Sequence, residues 1–180
     1  MSNPNKRPKY LIWLLVLLTM AIPLIYYFAF APDTVENSDP KTSPKPKPPE
    51  PEFVNEGSLD FISEDGEVLA TIDIEVADTE PDRNQGMMYR RSMADSLGML
   101  FIFPRSEPRA FWMKNTYISL DIIFVDDSLR IVTIQKNALP FSEKSLPSSQ
   151  PARYIVEVVG GFCDRQGIKE GDLIKFDFAT

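Results

Sequence analysis

Residues 98–126 restrict this chain more than any other stretch. Three apolar runs follow one another there. Phe101, Ile102 and Phe103 are stopped by Pro104. Ala110 to Met113 are closed by Lys114, Asn115 and Thr116. The third run, 120–125, carries one acid, Asp121. Short apolar runs bounded by turn residues read as strands covered on both faces. Charges set inside such strands need partners, so they are the residues a functional reading must explain.

The rest of the chain divides into three parts. Residues 10–31 contain no charged residue and follow Lys6, Arg7 and Lys9. About 20 apolar residues span a hydrocarbon core, and a positive flank stays cytoplasmic. Residues 1–31 are therefore expected to be a membrane anchor with the remaining chain extracytoplasmic, periplasmic or at the cell surface. The rival reading is a cleaved signal peptide ending at Ala29-Phe30-Ala31, which would make the protein secreted. Residues 32–56 are rich in Pro, Glu, Lys and Ser, too polar to bury a core, and read as a disordered linker. Residues 57–180 are the one candidate globular domain.

Within that domain strands are expected at 58–63, 68–76, 99–103, 109–114, 120–125, 129–135, 153–159 and 173–178. A helix capped by Asp78 or Thr79 is expected to run to Tyr89, and a second from Gly160-Gly161 to Gly167. Strands in hairpin spacing rather than alternating with helices predict a mainly β (α+β) domain. Its core would be a mostly antiparallel barrel or sandwich with two short helices.

Composition excludes several chemistries. The chain has no histidine, which removes histidine triads, Cys-His pairs and imidazole metal ligands. One cysteine, Cys163, cannot form an internal disulfide and reads as a small buried hydrophobe. The net charge of -7 argues against a nucleic-acid partner. No metal and no cofactor is expected.

Period two places Asp121 with Ile123 and Val125 on one strand face, buried or at a pocket edge. Its partner would be one of Arg90, Arg91, Arg109 and Lys114, in a ligand site or a structural ion pair. In the F-W-M-K-N-T run, alternation puts Trp112, Lys114 and Thr116 on one wall, suited to an anionic or planar ligand. Alternatively Phe111 and Trp112 are core and Lys114 reaches for solvent. Arginines 83, 90, 91, 105, 109 and 153 stand out in an acidic chain and could converge on a carboxylate or phosphate.

The runs G-M-M-Y-R-R-S-M, G-M-L-F-I-F-P, F-W-M-K-N-T-Y-I-S-L-D, P-A-R-Y-I-V-E-V and G-I-K-E-G-D resemble the uncharacterised family called domain of unknown function 192. Its signature falls on Gly86, Met88, Arg90, Gly98, Met99, Phe101, Phe111 to Thr116, Leu120 and Asp121. The resemblance implies an N-terminal signal or anchor and a compact β-rich domain, and no particular reaction. Ser119 stands where similar proteins commonly have proline.

Together these readings give a membrane-tethered module binding a small anionic or polar ligand through Arg90, Arg91, Arg109, Trp112, Lys114, Asn115 and Asp121. One alternative is an extracytoplasmic hydrolase or lyase using Asp121 and Lys114. Another is an accessory subunit of an envelope complex.

Overall fold

The computed structural model describes Tyr27 and residues 48–179. The anchor read at 1–31 (Tyr27 apart) and most of the linker lie outside the described residues. Among the described residues no helix is long and apolar enough to cross a membrane. Lys47–Thr180 is a compact unit by itself, holding every strand and both cores described below.

Nine strands and two short helices make up that unit: β1 (Gly57–Ile62), β2 (Val68–Ala77), α1 (Glu80–Gln85), β3 (Leu97–Glu107), β4 (Ala110–Phe111), β5 (Leu120–Val125), β6 (Ile131–Ala138), β7 (Leu146–Pro147), β8 (Ala152–Val159), α2 (Phe162–Gln166) and β9 (Leu173–Phe178). Seven strands form one sheet in the order β6-β5-β8-β3-β2-β1-β9, and β4 pairs with β7. The sheet does not close. Its two edge strands meet at one bridge, Arg130 to Leu173. The Ile131 amide donates to the Asp172 carbonyl there at 2.8 Å.

All pairings are antiparallel except β2 with β3. A parallel neighbour requires a crossover of a dozen or more residues, and residues 78–96 supply it. Thr79 caps α1 by accepting from the Asp82 amide. Gly86 ends the helix at φ 47°, a backbone conformation that favours glycine. The helix therefore stops four residues short of Tyr89, where the sequence pattern had extended it.

Pleating gives the sheet two apolar faces. One carries Leu59, Ile72, Leu100, Ile123, Val156 and Ile174, drawn from six strands and joined by Phe162 and Cys163 of α2. The other carries Met99, Phe101, Ile122, Phe124 and Ile155, and is covered by Met87, Met113 and the β4–β7 ribbon. All six residues of β5 are buried, as a strand packed on both faces requires. Phe111 of β4 packs edge-on against both Phe101 and Phe124, with centroids 5.0 and 5.9 Å apart.

Two expectations change at the edges. Residues 54–56, read as linker, are bonded to the sheet. Glu56 N–H donates to the Ile74 carbonyl at 2.9 Å, and its carboxylate accepts from Val76 N–H at 2.7 Å. The strand expected at 109–114 ends at Phe111, because Asn115 turns the chain at φ 55°. The alternation argued for Trp112, Lys114 and Thr116 fails with it. Thr116 is buried and Trp112 is 48% exposed.

Candidate functional site

A cleft of about 650 Å³ opens on the second apolar face. One wall is α1 and the residues that follow it, from Glu80 to Met88. The other is the far half of β3 with β4, from Phe103 to Trp112. Phe101, Phe103, Phe111, Met87 and Met88 give it an apolar lining.

Glu157 of β8 lies at its base. In the ladders Glu157 pairs with Met99 of β3 and Ile122 of β5, and Met99 pairs in turn with Glu75 of β2. Residues paired across a sheet share a face. Two glutamates thus flank Met99 on the face that carries the cleft. Their environments differ. Glu75 is ion-paired with Arg90 at 2.5 Å, both 6% exposed, and its Oε1 accepts from the Val54 amide at 2.9 Å. Glu157 is 4% exposed, lines the cleft, and its Oε2 has no hydrogen-bond partner among the described residues. Burial pushes its carboxyl up to about 8, opposed by a hydrogen bond from the Met87 backbone. At neutral pH this group carries its proton.

Gly86 keeps the space beside Glu157 open. A Cβ there would stand 3.0 Å from Phe101 Cζ and 3.7 Å from Glu157 Oε2. The bare backbone thus serves both the left-handed turn and the depth of the cleft.

Positive charge gathers at the mouth. Arg109 lies 3.9 Å and Arg83 5.1 Å from the centroid of the Phe103 ring, stacked as guanidinium on aromatic. Arg109 is further held by the carbonyls of Ala152 at 3.3 Å and Arg105 at 2.7 Å, and by Glu107 at 3.4 Å. Its pKa is lowered, first by burial and then by the charges of Arg83 and Arg105, against the pull of Glu107. Like charges crowded in this way are relieved by an anion. Glu107, shared between Arg105 at 3.6 Å and Arg109 at 3.4 Å, answers the three guanidiniums only in part.

Of the seven residues assigned to the ligand site in the sequence, Arg109 and Trp112 line this cleft, together with Arg83 and Arg105 of the arginine set and Phe111 and Thr116 of the F-W-M-K-N-T run; Arg90, Arg91, Lys114, Asn115 and Asp121 do not. Arg90 is committed to Glu75. Arg91 is exposed, and its backbone amide donates to Glu50 at 2.8 Å. Lys114 Nζ sits 5.0 Å from the Trp112 ring centroid, so these two do form one surface. Asn115 serves the turn: its carbonyl accepts from Tyr89 N–H at 2.9 Å, and its Nδ2 donates to Tyr89 Oη at 3.1 Å.

Among the described residues Asp121 is paired with none of the four cations expected for it. It is 0% exposed and accepts three backbone N–H groups: Asn137 at 2.8 Å and Gly161 at 3.0 Å on Oδ1, Cys163 at 2.9 Å on Oδ2. Hydrogen bonds from amides satisfy a buried carboxylate as a counter-ion would. This seals Asp121 under α2, where it ties the end of β6 to the start of the helix. Burial also raises the neighbouring Cys163 thiol, which leaves it inert as a nucleophile.

Sequence reasoning passed over Glu157. The signal was present: in R-Y-I-V-E-V-V-G it is the one acid of an apolar strand, the same anomaly that drew attention to Asp121.

The fold and cleft define a class first: a small mainly β domain with an unclosed mixed sheet and one cleft-lining face. A family model described as Uncharacterized ACR, domain of unknown function 192, matches residues 61–176. The chain belongs to that family. A crystal structure of a proposed transcription regulator from Sinorhizobium meliloti is similar at 36% identity, with a TM-score of 0.66, covering 70% of this chain and 98% of that one. A protein of unknown function from Novosphingobium aromaticivorans is similar at 35% identity and a TM-score of 0.62, covering 66% and 83%. No curated protein matches.

Proposed function

We propose that the chain is a membrane-tethered, extracytoplasmic binding module whose cleft takes a small organic anion with an apolar or planar body. The observation that carries this is the pair of guanidiniums of Arg83 and Arg109, both stacked on Phe103, with Arg105 lining the same cleft. Pockets of 300–1,000 Å³ suit small molecules. Arginines present paired donors to a carboxylate or phosphate. The tether rests on the charge-free stretch 10–31 behind its basic flank. The Sinorhizobium protein is described as a proposed transcription regulator; direct binding of nucleic acid by this chain would sit poorly with a net charge of -7.

Calorimetry of the 47–180 unit with 2-naphthoate and its neutral counterpart 2-naphthylmethanol tests the reading. The acid is expected to bind and the alcohol to bind at least tenfold more weakly, with Arg109→Ala removing the difference. Equal binding of the two, or binding of neither, overturns it. Pelleting of the full-length chain with membranes, resistant to salt and released by detergent, is the outcome expected for the tether.

A further inference from the structure

The far end of the cleft specifies a second feature of the ligand. We infer that Glu157 is a specificity determinant at the base of the cleft, its carboxyl O–H donating a hydrogen bond to a carbonyl or hydroxyl oxygen at the end of the ligand opposite its anionic group. This deepens the binding reading above and rests on it. It names the ligand class as an organic acid with a distal oxygen acceptor.

The geometry comes first. Glu157 lines the cleft, and its buried Oε2 has no hydrogen-bond partner among the described residues. A buried polar atom left unmatched is destabilising, so a matching group from outside the chain is favoured there. Ionisable neighbours decide what kind of group. Glu157 sits on β8. Against it pack Met99 and Phe101 of β3, Ile122 of β5, and Gly86 with the Met87 amide after α1. The charged groups around the cleft are Glu80 and Arg83 from α1, and Arg105, Glu107 and Arg109 from β3 and its turn into β4. None of these shares a hydrogen bond or ion pair with Glu157 among the described residues. Two strands away on the same face, Glu75 is already neutralised by Arg90. With no cation to hold it ionised, the carboxyl keeps its proton at neutral pH and presents a donor. A basic ligand group would first have to strip that proton.

The same 47–180 unit distinguishes the possibilities. Three acids are titrated between pH 6 and 9.5: 2-naphthoate, 6-acetyl-2-naphthoate and 6-(aminomethyl)-2-naphthoate. The acetyl compound is expected to bind about tenfold tighter than plain naphthoate below pH 7, the size of one net hydrogen bond of about 1.4 kcal/mol. That advantage is expected to fade above about pH 8. In Glu157→Gln, whose amide still donates but cannot ionise, the advantage is expected to persist at every pH. Equal affinity for the acetyl and plain acids overturns the inference while leaving the anion-binding reading intact. So does an advantage in the wild type that is unchanged to pH 9.5. Tighter binding of the aminomethyl acid, strengthening with pH, overturns it in favour of a cation subsite. Failure of all three acids to bind overturns the anion reading, and this inference with it.

Discussion

Replacing Glu157 by Gln tests the state of the site without any ligand. The carboxyl's pKa is pushed from an ordinary 4.5 to about 8 in the folded domain. Between those values the folded state keeps a proton that the unfolded chain releases. Wild-type stability therefore falls as pH rises from about 4.5 through 8, and is level beyond. Gln has the same shape, keeps an oxygen for the Met87 amide, and does not titrate. The stability of the variant relative to wild type should thus be near zero at pH 4.5, grow through neutrality, and level off above pH 8. Its ceiling follows from about 1.4 kcal/mol per pH unit, or about 5 kcal/mol over that interval. Solvent entering the open cleft trims this to the order of 2–4 kcal/mol. Urea unfolding of the 47–180 unit and its Gln variant at pH 5, 7 and 9 measures the difference directly, since all other titrating groups cancel. A difference that stays within about 0.5 kcal/mol from pH 5 to 9, or that favours the wild type at pH 9, refutes the argument that this carboxyl is buried and unpaired.

Asp121→Ala strands three buried or half-buried amides and should cost about 3–6 kcal/mol by chemical denaturation. Asp121→Asn should cost less, about 2–3, because its amide nitrogen faces a donor at only one of the two positions. A loss below 1 kcal/mol in the Ala variant would show that these amides find other acceptors. Glu75→Ala leaves Arg90 charged and buried alone, and is expected to lower stability by about 3–5 kcal/mol; replacing both residues by apolar ones should recover most of that in a double-mutant cycle. Gly86→Ala combines a positive φ with a contact against Phe101. A cost of about 1–3 kcal/mol is expected, with weaker 2-naphthoate binding, and unaltered affinity would sever Gly86 from the cleft.

The sheet was legible because its strands announce themselves chemically. Residues 120–125 and 173–178 are bounded in the structure as the sequence bounds them, and Thr79 and Pro81 mark the start of α1. The parallel pairing of β2 with β3 was not legible. It depends on where residues 78–96 carry the chain, and a six-residue helix with no buried side chain leaves almost no periodic trace. The wall argued for Trp112, Lys114 and Thr116 assumed an extended chain through Asn115, and it loses Thr116 to the interior. Only a backbone angle of 55° shows the bend. The acid in β5 and the acid in β8 look alike on paper. What separates them is tertiary: three amides converge on Asp121, and an open cleft faces Glu157. Ser119, in place of proline, donates its hydroxyl to the Ala138 carbonyl at 3.1 Å, so the turn before Asp121 is held by a bond where a ring would have stiffened it.

The crossover between β2 and β3 also sets how this scaffold can vary. The walls of the cleft come from the crossover after β2 and from the far end of β3 with β4, whereas its base is a central strand hydrogen-bonded on both sides. Substitutions in the exposed turn of α1 or around Arg105 can therefore reshape the entrance at little cost to folding. The residue at the bottom is locked into the ladder, so a change of its size or shape disturbs the layer around Met99 as well.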